Sequence, residues 1–246
     1  MATFAVIVAA AGKSTRFADK NYKKPFAPLA NRAVWLHSVD RFMNRDDVKQ
    51  TILTVAAEDR EFFDMKFGAN IAILNLEVVE GGAQRADSVQ RALERVRSDI
   101  EFVAIHDAAR PCIADKWIDQ VFEAAQRTGA AILAAPVAET LKRVDGRKQI
   151  TATVDRDALW AAQTPQVFRR ELLIEAYAKR GGADPTDDAQ LVERLGHAVT
   201  VVPSSAMNLK ITTRDDLRLA EQVLKVLPKP KVDGFRNPFA DDDLWR

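Results

Sequence analysis

Phe4-Ala5-Val6-Ile7-Val8-Ala9-Ala10-Ala11-Gly12-Lys13-Ser14-Thr15-Arg16 is the stretch on which the architecture turns. It opens as a continuous apolar run and closes on small residues and a glycine. A strand without polar alternation needs cover on both faces, which a parallel sheet between helix layers supplies. Similar runs recur at 51–56, 71–79, 102–106, 130–135 and 198–203, and each is a predicted strand. Helical patterns fill the spaces at 33–43, 83–97, 115–127, 170–179, 188–195 and 213–227. This alternation predicts an open α/β sheet with no internal repeat.

Two stretches break the rhythm. Within 136–168, alternating runs at 137–144 and 150–154 flank Asp145-Gly146-Arg147, which predicts a β-hairpin inserted into the α/β core. The segment 228–246 carries three prolines, Asp241-Asp242-Asp243 and the aromatic residues Phe235, Phe239 and Trp245. It is expected to be a flexible tail after a domain spanning 1–227, with no room for a second domain.

The bulk numbers exclude several classes. With 36 basic and 35 acidic residues among 246, the net charge of +1 lacks the basic excess of a nucleic-acid or membrane-surface binder. Cys112 is the single cysteine, so no intrachain disulfide or thiolate metal cluster is possible, and a reducing compartment fits. The apolar run at the N-terminus is too short for a span or a leader. A soluble cytoplasmic protein is expected.

Chemistry concentrates in a few segments. Ala10, Ala11 and Gly12 form a small-residue turn after the first strand, where backbone N–H groups can approach a phosphate and a flat base has room. Its glycine spacing fits neither the Walker loop nor the dinucleotide fingerprint. Arg16, Lys20, Lys23 and Lys24 follow and suit a polyphosphate. Gly81-Gly82-Ala83-Gln84-Arg85-Ala86-Asp87-Ser88 leads into a helix whose early turns hold Ser88. His106-Asp107-Ala108-Ala109-Arg110-Pro111 puts a carboxylate at the end of a strand, where open α/β sheets bind ligands, free to face a ribose, a metal or a counterion. His106 is read as a structural hydrogen-bonding residue. Further on come Thr153–Phe168, Thr186-Asp187-Asp188 as a helix opening, and Lys210 on a short extended segment.

Together, in this order, these segments resemble the 2-C-methyl-D-erythritol 4-phosphate cytidylyltransferase family over nearly the whole chain except its tail. The resemblance implies a Rossmann-like nucleotidyltransferase core, a mostly parallel sheet and a hairpin arm that dimerises with its twin. It implies CTP lying over Ala10, Ala11 and Gly12, with Gly82, Ser88, Asp107 and Ala108 around base and ribose. Arg16 and Lys24 match the cations that stabilise the transition state, and Lys210 matches a third near the α-phosphate. Thr140 and Arg156 match groups reaching the neighbouring subunit's acceptor, with Arg110 also on the acceptor side. Mg2+ is expected through the CTP phosphates, and the partners are CTP and a small polyol phosphate. The chain departs from the usual family pattern at Ser14, at Ala83 and at Lys23-Lys24-Pro25, one residue further from Arg16 than usual. Lys23 and Lys20 therefore stand as alternatives to Lys24. A ribitol 5-phosphate cytidylyltransferase and a non-catalytic nucleotide-binding subunit are the rival readings.

Overall fold

The computed structural model describes residues 2–12, Phe17 and residues 23–228. The elements, in chain order, begin with β1 (Phe4–Ala9), a 3-10 turn (Lys24–Phe26), β2 (Pro28–Leu29), β3 (Arg32–Ala33) and α1 (Val34–Met43). They continue with β4 (Val48–Val55), a second 3-10 turn (Ala57–Asp59), α2 (Arg60–Ile73), β5 (Glu77–Glu80), α3 (Arg85–Leu93) and β6 (Phe102–Asp107). Next are α4 (Asp115–Thr128), β7 (Ala130–Pro136), β8 (Leu141–Val144), β9 (Ile150–Val154) and β10 (Trp160–Arg169). The last are α5 (Arg170–Ala178), α6 (Ala189–Arg194), β11 (Thr200–Pro203) and α7 (Arg214–Val226).

Among the described residues the main sheet has seven strands in the order β11-β7-β10-β6-β1-β4-β5. Every pairing is parallel except those of β10, which runs antiparallel to both β6 and β7. The expected mostly parallel α/β core is therefore the observed one.

Successive side chains of a strand point to opposite faces, and β1 divides its residues accordingly. Phe4, Val6 and Val8 join the core beneath α1, α2 and α4, where Trp35, Phe63 and Phe122 are packed. Ala5 and Ile7 join the core beneath α3, α5 and α6, with Val89, Leu173 and Leu191. Both faces are covered, which is why the sequence of β1 shows no polar alternation.

Two readings of the sequence need correction. The stretch 71–79 is not one strand: Ile71–Ile73 end α2, Asn75 turns the chain at φ 48°, and only Glu77–Glu80 pair with β4. The apolar continuity came from two elements meeting at one asparagine. Within 136–168, only β8 and β9 form the separate hairpin. β10 instead enters the main sheet, with Val167 and Phe168 fully buried. The hairpin turn also differs from a simple Asp-Gly pair. Asp145 Oδ1 accepts from the N–H groups of Arg147 (2.8 Å) and Gln149 (2.9 Å), and Lys148 takes the left-handed conformation.

Candidate active site

The site grows from the carboxy ends of β1, β4 and β6. Ala9 lies opposite Asp107 in the β1–β6 register, and the chain past each strand is tied to its neighbour. Ala108 N–H donates to Ala9 O (3.1 Å), Ala10 N–H to Thr54 O (3.1 Å) and Gly81 N–H to Val55 O (2.8 Å). Close approach explains the glycine pair. A β-carbon on Gly81 would stand 2.3 Å from the Ala11 β-carbon, and one on Gly82 would stand 2.3 Å from that of Asp87. Ser88 fastens this loop: its hydroxyl accepts from Gly82 N–H (3.0 Å) and donates to Gln84 O (3.1 Å).

A cleft of about 180 Å³ opens over these ends. Of the residues expected around a nucleotide, Ala10, Ala11, Gly12, Ser88 and Asp107 line it, together with Lys24, Arg85 and Lys210. Gly82 and Ala108 are not on its wall; Gly82 is tied to the wall residue Ser88 through its N–H, and Ala108 is fully buried. A second cleft of about 200 Å³ shares Arg85, Asp107 and Lys210 with the first. Its other walls include Arg110, Gln163, Thr164, Thr186 and Asp187.

The shared wall is a charge cluster. Lys210 Nζ sits 2.6 Å from Asp107 Oδ2, and Arg85 Nε donates to Asp107 Oδ1 at 3.2 Å. Arg85 reaches on through Nη1 to Asp188 Oδ2 (2.8 Å), and Tyr177 donates to the other Asp188 oxygen (2.5 Å). Burial alone would raise the Asp107 carboxyl, but Arg85, Lys210 and Arg110 override it and hold it far below the usual range. Asp107 is thus a fixed anion framed by three cations. Burial would likewise lower Arg85, but Asp188 and Asp107 raise it further above its ordinary value.

Lys210 is held by its neighbours in sequence. Arg110 Nη1 donates to Asn208 O (2.7 Å), Asn208 Nδ2 donates to Thr164 O (2.9 Å), and Ile211 N–H donates to Ala109 O (2.8 Å). The backbone is pinned on both sides of the lysine, and its ammonium is held by Asp107. Downstream, Asp216 accepts from Thr212 and Thr213 N–H groups (both 2.8 Å) and caps α7. The opening of α6 is closed by Asp187, which accepts from Gln190 N–H (3.1 Å), rather than by Asp188.

His106 has the structural role expected of it. Asp107 N–H donates to Thr164 Oγ1 (3.0 Å), which leaves that hydroxyl to donate to His106 Nδ1 (3.1 Å). His106 Nε2–H then donates to Arg110 O (3.1 Å), a set that needs the neutral ring. Burial pushes the ring down to about 4 from 6.5. The unfolded chain therefore binds a proton near pH 6.5 that the folded one refuses until about pH 4. Stability from this group is complete above pH 6.5 and is lost as pH falls through that window. Urea unfolding should weaken by about 1 kcal/mol between pH 6 and pH 5, and the slope should flatten in His106→Gln. An unchanged slope in the variant would assign the acid sensitivity elsewhere.

The two neighbouring lysines part company. Lys23 Nζ is engaged by Asp59 (2.8 Å) and Glu58 (3.0 Å), whereas Lys24 lines the first cleft. Arg16 and Lys20 lie outside the described residues, as does the segment 229–246. Thr140 and Arg156 flank the hairpin and are exposed; neither lines either cleft of its own chain. Arg156 Nη1 donates to Ala138 O. Arg110 lines the second cleft. Arg85 is the residue that sequence reasoning passed over. It stands in the quoted Gly81–Ser88 segment, but its partners Asp107 and Asp188 lie 22 and 103 residues away. Among the described residues no group of His, Cys, Asp and Glu is placed to hold a metal ion by itself, and no helix is long and apolar enough to cross a membrane.

Comparison with known proteins gives one answer. The family model described as 2-C-methyl-D-erythritol 4-phosphate cytidylyltransferase matches residues 4–226. A protein of that name from Rhodopirellula baltica is 45% identical over 234 residues, covering 91% of this chain and 95% of the relative. Another from Endomicrobium trichonymphae is 40% identical over 221 residues, covering 90% and 98%. The crystal structure of the Thermus thermophilus protein of the same name superimposes with a TM-score of 0.75 at 32% identity, covering 92% of this chain and 100% of that one.

Proposed function

We propose the following activity for this chain, which belongs to the 2-C-methyl-D-erythritol 4-phosphate cytidylyltransferase family. It joins CTP to 2-C-methyl-D-erythritol 4-phosphate, giving the CDP-linked methylerythritol and pyrophosphate, in isoprenoid precursor synthesis. The observation that carries the reading is the pair of clefts that meet at Asp107, Arg85 and Lys210. One takes the nucleotide and the other the polyol phosphate, with Lys210 at the seam between two anions.

The chemistry follows from that arrangement. An oxygen of the acceptor phosphate attacks the α-phosphorus of CTP, the bond from that phosphorus to the α–β bridging oxygen breaks, and pyrophosphate leaves in line. The attacking phosphate is already ionised, so no general base is required. What the site has to supply is positive charge where negative charge accumulates. Lys24 and Arg16 serve the triphosphate, Lys210 the α-phosphate, and Asp107 orients Lys210 and the ribose. Arg110, Thr140 and Arg156 hold the acceptor. Mg2+ would fit this donor set as a companion of the triphosphate: both Asp107 oxygens are taken by Arg85 and Lys210, so the ion would be held mainly through the CTP phosphates and would screen their charge.

The same reading makes the protein a homodimer with shared sites. Its support is that Thr140 and Arg156 line neither cleft of their own chain, while Val144 and Ile150 (64% exposed) on the hairpin and Trp160 (42%) at the start of β10 leave apolar surface exposed. A lone hairpin is marginal in water and needs a surface to pack on. Residues 1–227 are read as the nucleotidyltransferase domain and 228–246 as a tail apart from it. A cytoplasmic location accompanies the reading, and the single cysteine, Cys112, is buried and in no disulfide.

The direct test offers the protein each NTP with Mg2+ and either methylerythritol phosphate or ribitol 5-phosphate, and follows pyrophosphate. Release is expected with CTP and methylerythritol phosphate. Equal release with ATP or GTP, or a preference for ribitol 5-phosphate, would overturn the assignment.

A further inference from the structure

The turn that carries Lys24 is a single 3-10 turn whose N-cap, Lys23, makes no side-chain capping bond. So short an element has little stiffness of its own. Its carboxy side is anchored by Phe26, 4% exposed, whose ring lies 5.6 Å from Phe63 and 6.1 Å from Phe67 on α2. Its amino side is anchored by Lys23, which spans to Asp59 and Glu58 on the turn that follows β4. Both anchors thus lie on one continuous stretch, the second 3-10 turn and α2. That stretch continues from β4, whose Thr54 lines the nucleotide cleft.

We propose that Lys23 is a positioning residue for Lys24: its ion pairs with Asp59 and Glu58 clamp the turn so that the Lys24 ammonium faces the nucleotide. The clamp rests on the activity proposed above. The Asp59 carboxylate is the stronger half, being 13% exposed against 62% for Glu58, because an exposed pair is weakened by water and salt. Burial would lower the Lys23 ammonium, but the hydrogen bonds and charge of Asp59 and Glu58 raise it above its ordinary value. It stays charged through any working pH, its ammonium is engaged by Asp59 and Glu58, and it does not line the cleft. Removing the clamp leaves Lys24 in place chemically but lets its turn swing, and small displacements of a catalytic cation are costly.

A double-mutant comparison tests this. Lys23→Met should lower kcat/KM for CTP on the order of tenfold, short of the roughly 100-fold that a misplacement of about 1 Å can cost. In a Lys24→Met background the same change should cost nothing further, within about twofold, because Lys23 acts through Lys24. The Asp59→Asn/Glu58→Gln pair should reproduce the Lys23→Met loss although Lys23 remains, and Lys23→Arg should restore most of it. Melting temperatures are recorded for every variant. Equal losses in both backgrounds would mean that Lys23 touches the nucleotide itself or merely supports the fold, and would overturn the clamp. A neutral Asp59→Asn/Glu58→Gln variant would also overturn it. CTP binding by calorimetry repeats the comparison without turnover. A wild-type chain that neither binds nor turns over CTP removes the underlying activity and the clamp together; one that does both, with additive losses, removes the clamp alone.

Discussion

Lys210→Met is expected to lower kcat by about 100-fold or more while leaving KM for CTP within a few-fold of wild type, the pattern of losing a group that acts on the transition state. The reason lies in how the lysine is held. Its ammonium is 2.6 Å from Asp107 Oδ2, and hydrogen bonds from Arg110 to Asn208 and from Ile211 to Ala109 pin the backbone on either side. On the proposed assignment the charge is therefore preorganised where two substrate anions must meet, and little reorganisation is needed during reaction. Folding should survive. Asp107 keeps Arg85 and Arg110, and methionine retains most of the apolar stem. Steady-state kinetics with circular dichroism separates the outcomes. A rise in KM at constant kcat would make Lys210 a ground-state binding group instead.

The second large effect concerns the arm. If the protein is the shared-site homodimer proposed above, Arg16→Ala and Arg156→Ala should each inactivate it, because on that reading one would remove a cation for the triphosphate and the other an anchor for the acceptor phosphate. Mixing the two inactive proteins and allowing subunits to exchange should restore activity. A mixed dimer collects both lesions in one site and leaves its other site intact. With random reassortment of equal amounts, half the dimers are mixed and roughly a quarter of all sites recover, by twofold counting. Were Arg156 to serve its own chain's site, every site would carry a lesion and nothing would recover. Confirmed exchange without recovery would rule the shared site out.

Much of the scaffold is legible in the sequence where apolar spacing and burial coincide. β1 and β6 read as strands covered on both faces because all their apolar side chains except the half-buried Ala9 are buried. α4 reads cleanly because Ile118, Val121, Phe122 and Ala125 mark one face. α2 is hidden for the opposite reason: Phe63 and Phe67 face the core, but Phe62, Met65 and Ile73 are exposed and blur the stripe. β10 is obscured because its pairings are remote, Phe168 with Ala130 and with Val103. The same distinction governs the site. Asp107 and Lys210 declare themselves from strand ends and motif order. Arg85 becomes visible only once Asp107 and Asp188 are brought beside it. Nor can sequence choose between Lys23 and Lys24, since the partners that occupy Lys23 are 35 and 36 residues away.

The central claim, attack of the acceptor phosphate on the α-phosphorus of CTP, is tested most directly by isotope transfer. Methylerythritol phosphate carrying heavy oxygen in its non-bridging phosphate positions is incubated with CTP, Mg2+ and the protein, and products are read by phosphorus NMR and mass spectrometry. The account predicts that all label stays in the CDP-linked product, that an isotope shift appears at the cytidine-side phosphorus through the new bridging oxygen, and that pyrophosphate is unlabelled. Label in pyrophosphate, an unshifted cytidine-side phosphorus, or release of free CMP would contradict it.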